Sequence, residues 1–113
     1  MPYEPVYERF ETVRQDGNRV SVEFLKSGFL AAGDQPELYF FRVGDEDAIV
    51  GISGEGLVVF QRKHRYLSRE EKIDIAGLFL KRRIEAGLPL TSQHLGIREP
   101  ELEQFARQLA LAL

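Results

Sequence analysis

The chain contains no cysteine. That absence excludes a disulfide scaffold, a thiolate zinc site and a cysteine nucleophile. Long apolar runs are missing too: the longest reach roughly six residues, against the roughly 18–20 needed to span a bilayer. The opening Met-Pro-Tyr-Glu-Pro has neither a positive leader nor an apolar core. An amino-terminal myristoylation glycine and a carboxy-terminal prenylation cysteine are also lacking. A cytoplasmic protein with no membrane partner is the expectation. No repeat, low-complexity tract or linker divides the 113 residues, so residues 1–113 read as one compact domain. Apolar residues at 43% and charged residues at 29% exclude wholesale disorder. A chain of this size buries about two-thirds of its unfolded surface, enough for stability without metal or disulfide.

What is present changes character near residue 67. Before it, Val, Phe, Tyr and Thr come in short runs broken by Gly and Asp. Glu8–Arg14 and Arg19–Lys26 flank Asp16-Gly17, a strong hairpin signal that predicts a type I′ turn. Val20, Val22 and Phe24 alternate with polar residues, so one face of that hairpin turns inward. Gly28 to Pro36 reads as a loop and Glu37–Val43 as a strand. An acidic turn, Gly44-Asp45-Glu46-Asp47, leads into a partner strand over Ala48–Ser53. Gly54-Glu55-Gly56 reads as another turn, and Leu57–Lys63 as a last strand.

After residue 67 the helix formers dominate. Ser68-Arg69-Glu70-Glu71 is a capping box, and Gly87 with Pro89 stops the helix near Ala86. Ile73, Ala76, Gly77, Phe79, Leu80 and Ile84 share its broad apolar face. Ile75 and Leu78 fall outside that face and need a second helix or a second subunit to cover them. Pro100 opens a last helix running to about Leu113, whose apolar ending either docks on the domain or makes an oligomer contact. The expected fold is α+β: an antiparallel sheet of four or five strands over residues 8–63, then helices at 68–86 and 100–113 packed on one face. Phe24, Tyr39, Phe41 and Phe60 are the expected core, with Ile73, Leu80, Ile84 and Phe105 opposite.

The formal net charge of −3 conceals a division. Residues 62–83 hold eight Lys/Arg against three acids, whereas residues 1–56 hold five against eleven. Such polarity suits an acidic protein, a nucleic acid or another copy of the chain. Arg62, Lys63, Arg65, Lys81, Arg82 and Arg83 are the candidate anion contacts. Leu90–Ile97 followed by Pro100–Gln108 has the outline of a helix-turn-helix. Glu99, Glu101 and Glu103 at the front of the reading helix would repel phosphate, leaving only Gln104 and Arg107 as contacts.

No enzyme signature emerges. Gly51-Ile52-Ser53-Gly54-Glu55-Gly56 is glycine-rich, but a phosphate loop needs a helix directly after it, and a strand is expected there. Asp45-Glu46-Asp47 lacks the spaced oxygen ligands of a calcium loop, and His64 and His94 have no local His or Cys partners. No metal or cofactor is therefore expected. Of the serines, Ser68 caps a helix, Ser21 is a strand residue, and neither Ser27, Ser53 nor Ser92 sits in a nucleophile elbow. The expected function is a non-enzymatic interaction or regulatory module that forms a homodimer through Ile75, Leu78, Leu109 and Leu113. Nucleic-acid or anionic-ligand binding through residues 62–83 is the alternative.

Overall fold

Five strands and three helices build the domain, described over residues 3–29, 35–90 and 95–113 of a computed structural model. Strands β1 (Arg9–Val13), β2 (Arg19–Phe29), β3 (Glu37–Val43) and β4 (Glu46–Ile52) form an antiparallel meander. The short β5 (Leu95–Ile97) joins its end parallel to β4, giving the order β1-β2-β3-β4-β5. Helices α1 (Gly54–Lys63), α2 (Arg69–Glu85) and α3 (Glu99–Gln108) complete an α+β architecture.

Alternation decides which sheet face is covered. Val20, Val22 and Phe24 of β2, with Tyr39, Phe41 and Val43 of β3, point into the core. The opposite face carries cross-strand ion pairs instead, Arg9–Glu23, Arg19–Glu11 and Arg42–Asp47. All eight residues expected in the core are buried, including Ile73, Leu80, Ile84 and Phe105.

Five local expectations need correcting. The β1–β2 hairpin forms, but Gly17 alone takes a positive φ (+89°), so its turn is not type I′. Asp16 accepts from the Asn18 amide at 2.9 Å, which holds Asp16 in a turn that needs a single left-handed residue. Strand β2 runs on through a bulge near Leu25 to Phe29, where a loop was expected. Leu57–Lys63 is no strand: Gly54–Lys63 is helical, with Ser53 as its cap, Glu55 in the first turn and Arg62 and Lys63 in the last. Leu95-Gly96-Ile97 is a strand, not the turn of a helix-turn-helix; Thr91–His94 lie outside the described residues. Finally, α3 stops at Gln108, and Ala110 turns to φ +57° so that Leu111 folds back into the core.

Helix α2 fits its sequence closely. Ser68 Oγ accepts from the Glu71 amide while the Glu71 carboxylate accepts from the Ser68 amide, completing the capping box. Its fully buried Asp74 forms no ion pair among the described residues. Its oxygens accept from the Tyr3 hydroxyl, from the Val6 amide at 3.0 Å and from the Tyr7 amide at 2.6 Å. The amino-terminal segment is thereby drawn across α2, passing so close that a Cβ on Gly77 would lie 2.5 Å from the Tyr7 carbonyl oxygen.

Both contacts act on one segment, which makes them testable together. Asp74→Asn would turn an amide donor toward a donor and should cost about 2–3 kcal/mol in urea denaturation. Gly77→Ala should also destabilise, although helix propensity returns about 1 kcal/mol. The double variant should lose less than the sum, because either change alone lifts the same segment.

Candidate functional site

Helix α2 separates the expected basic residues into two groups. Arg62, Lys63 and Arg65 sit at and just beyond the end of α1, and Lys81, Arg82 and Arg83 in the final turns of α2. From Glu71, which holds Arg65, to Lys81 is roughly 15 Å of helix. The two groups do not merge into one patch.

Most of these charges are already engaged. Lys63 Nζ meets Glu99 Oε1 at 3.0 Å, Arg65 pairs with Glu71 through two bonds of 2.9 and 2.7 Å, and Lys81 reaches Glu85 at 2.6 Å. Arg82 donates to Gln108, and Arg83 donates to the Pro89 carbonyl. Only Arg62 among the six lacks such a partner among the described residues. His64 Nε2 lies 3.0 Å from Glu103, which also accepts from Arg107, one of the two base contacts considered for α3.

These contacts set the carboxyl chemistry. Arg65, helped by Ser68, holds the Glu71 carboxyl below its ordinary 4.5 despite the opposing effect of burial. Lys81 and then Thr12 do the same for Glu85, and Arg107 and then His64 for Glu103. Burial first, and then the bond to Glu37, pushes the Tyr39 phenol well above its usual range.

The parallel pair creates a crevice of about 610 Å³ beyond the carboxyl ends of β4 and β5. Gly51 and Gly96 line it, together with the first turns of α1 and α3. A helix does follow the glycine-rich stretch, which removes the topological objection to a phosphate loop. Electrostatics supplies another. Among the described residues Glu55, Glu99 and Arg98 line the crevice, with Lys63 paired to Glu99, so no net positive charge is left there and the chain's own carboxylates answer the positive helix ends. Ser53 Oγ also takes the Gly56 amide. The crevice does not suit an anion.

A different surface is apolar. Between the end of β2, helix α1 and the α1–α2 connection lies a groove of about 260 Å³ whose apolar side is formed by Phe29, Leu57, Val58, Phe60, Tyr66 and Leu67, with Gln35, Gln61 and charged residues completing its lining. Phe29 is 76% exposed, Tyr66 75% and Val58 45%. An exposed apolar cluster of this kind is often functional. Two ion pairs border the groove: Lys72–Glu37 at 2.8 Å and Arg65–Glu71 at 2.7 Å.

The four residues expected at an oligomer contact are scattered. Ile75 and Leu78 are buried within the single chain, Leu109 is half-buried, and Leu113 is 43% exposed. Periodicity could not have found the groove. Its members come from three separate elements, and Val58 was expected on a strand. The one available signal was Tyr66, an aromatic residue between Arg65 and the Ser68 cap with no apolar periodicity to absorb it.

Among the described residues no three His, Asp or Glu side chains are grouped to hold a metal ion, and no helix is long and apolar enough to cross a membrane. Ser92 and His94 lie outside those residues. In comparisons with known proteins, no family model, curated protein or solved structure matches the chain.

Two measurements follow from the charge layout. Lowered carboxyl pKa values stabilise the fold above the unfolded value of 4.5, and the benefit is lost as pH falls through the folded values. Melting temperature should therefore hold from pH 7 to about pH 5 and drop below about pH 4.5. Glu71→Gln, which keeps the capping reach without the charge, should flatten that acid limb. Duplex DNA titrated at low salt should show no saturable binding, since three of the six cations are already neutralised by carboxylates of the chain and the rest are divided between two sites.

Proposed function

We propose that this chain is a non-enzymatic interaction module that associates with itself. The exposed apolar groove carries the reading: Phe29, Val58 and Tyr66 keep costly apolar area in water beside half-buried Leu57 and Leu67. Covering Phe29 and Tyr66 returns favourable free energy in proportion to the apolar area removed from water. Among the described residues no comparable assembly of polar groups favours a small-molecule reaction. The crevice at the ends of β4 and β5 pairs glycines with two carboxylates and one arginine, and its Ser53 caps α1. Nucleic-acid binding through residues 62–83 has less support, because its candidate cations lie in two separated groups and three of the six are paired with carboxylates.

Sedimentation equilibrium over a rising concentration series tests this reading. The mass should climb from the 12.9 kDa of one chain toward twice that value. A mass fixed at one chain up to millimolar concentration would overturn the proposal.

A further inference from the structure

We infer that two chains pair about a twofold axis, each inserting its Phe29 and Tyr66 rings into the groove of the other. The inference rests on the self-association proposed above and adds the surface and the geometry.

Shape supplies the first argument. An isologous contact uses the same patch twice, so that patch must offer both a projection and a recess. Phe29 and Tyr66 project, being three-quarters exposed, and the recess of about 260 Å³ lies between them, floored by Leu57, Leu67 and the buried Phe60.

Charge supplies the second. A patch facing its own copy repels itself whenever it carries unbalanced charge. Here each ion bordering the groove is neutralised on its own chain, Lys72 by Glu37 and Arg65 by Glu71. Glu37 also accepts from Tyr39, so its carboxylate is held in place on the sheet side. Such a border neither selects an acidic or basic partner nor opposes a second copy.

Area supplies the third. Aromatic side chains bury about 150–250 Å² each. Four rings, each three-quarters exposed in the free chain, account for roughly 600 Å². Val58 and the half-buried leucines of both copies bring the total near the roughly 1,000 Å² at which specific interfaces begin. The dimer therefore sits at the weak end, populated as concentration rises and not obligate.

Single-residue variants measured by sedimentation separate the outcomes. Phe29→Ser, Tyr66→Ser and Val58→Glu alter exposed side chains, and circular dichroism checks that each keeps its fold. Each should leave a monomer at concentrations where the unaltered chain is dimeric, raising the dissociation constant at least tenfold. Val13→Ser, on an exposed apolar residue of β1 that pairs with the far end of β2 from Phe29 and does not line the groove, should change it less than twofold. If the unaltered chain dimerises and the groove variants dimerise equally well, the inference fails while self-association stands. Loss of dimer in Val13→Ser alone would likewise overturn it. Growth beyond the dimer would overturn the twofold geometry, because only a heterologous contact leaves an open end. A chain that stays monomeric throughout removes both proposals.

Discussion

The parallel pairing of β5 against β4 is the constraint on which the domain depends. Antiparallel neighbours can be joined by a tight turn, but a parallel neighbour must be reached by a crossover that returns to the starting end of the sheet. Val50, Gly51 and Ile52 stand opposite Leu95, Gly96 and Ile97, so the chain between them has to travel back along the sheet. Helices α1 and α2 lie within that return. Once it is made, α3 starts beside α1 at the same end of the sheet, close enough that a Cβ on Gly56 would lie 3.1 Å from the Glu99 amide nitrogen. The apolar groove lies on the other flank of α1. Its position therefore follows from the same crossover.

Most of the fold was legible because its signals are local. The β1–β2 hairpin, β3, β4 and α2 rest on alternation, turn residues and a capping box, each contained within about ten residues of chain. The failures share a cause. Leu57-Val58-Val59-Phe60 has strand composition, and its helical state is imposed by the crossover. Ser53 with Glu55 and the closing Arg62-Lys63 marked both ends of that helix, but two glycines in the first turn masked the pattern. Leu95-Gly96-Ile97 is too short to show alternation and is a strand only because β4 lies beside it. The last helix was overextended for a related reason. Leu109 to Leu113 continues the apolar composition, while a backbone turn at Ala110 ends the helix and puts Leu111 into the core.

Charge was legible as a tally but not as a surface. Composition shows an excess of cations over residues 62–83, but not that Lys63 crosses to Glu99 on α3 or that Arg65 closes on Glu71. Pairs separated by tens of residues, or bent back over a helix start, leave no periodic trace. Apolar placement has the same difficulty. Ile75 and Leu78 looked surplus on a helix considered alone, yet the chain buries both without help. Phe29, by contrast, is left in water at the end of a strand, and its exposure had no trace in the sequence.

Asp74 has a consequence for the order in which the domain is assembled. Its three donors, Tyr3, Val6 and Tyr7, precede it by 71, 68 and 67 residues. A chain synthesised from its amino terminus therefore carries these residues without their acceptor until most of the domain has been made. The meander can pair from neighbouring segments in the meantime, since its contacts are short in sequence. The amino-terminal segment can close over α2 only once residue 74 has been made. The first residues of that segment thus wait for a partner that follows them by 67 to 71 residues.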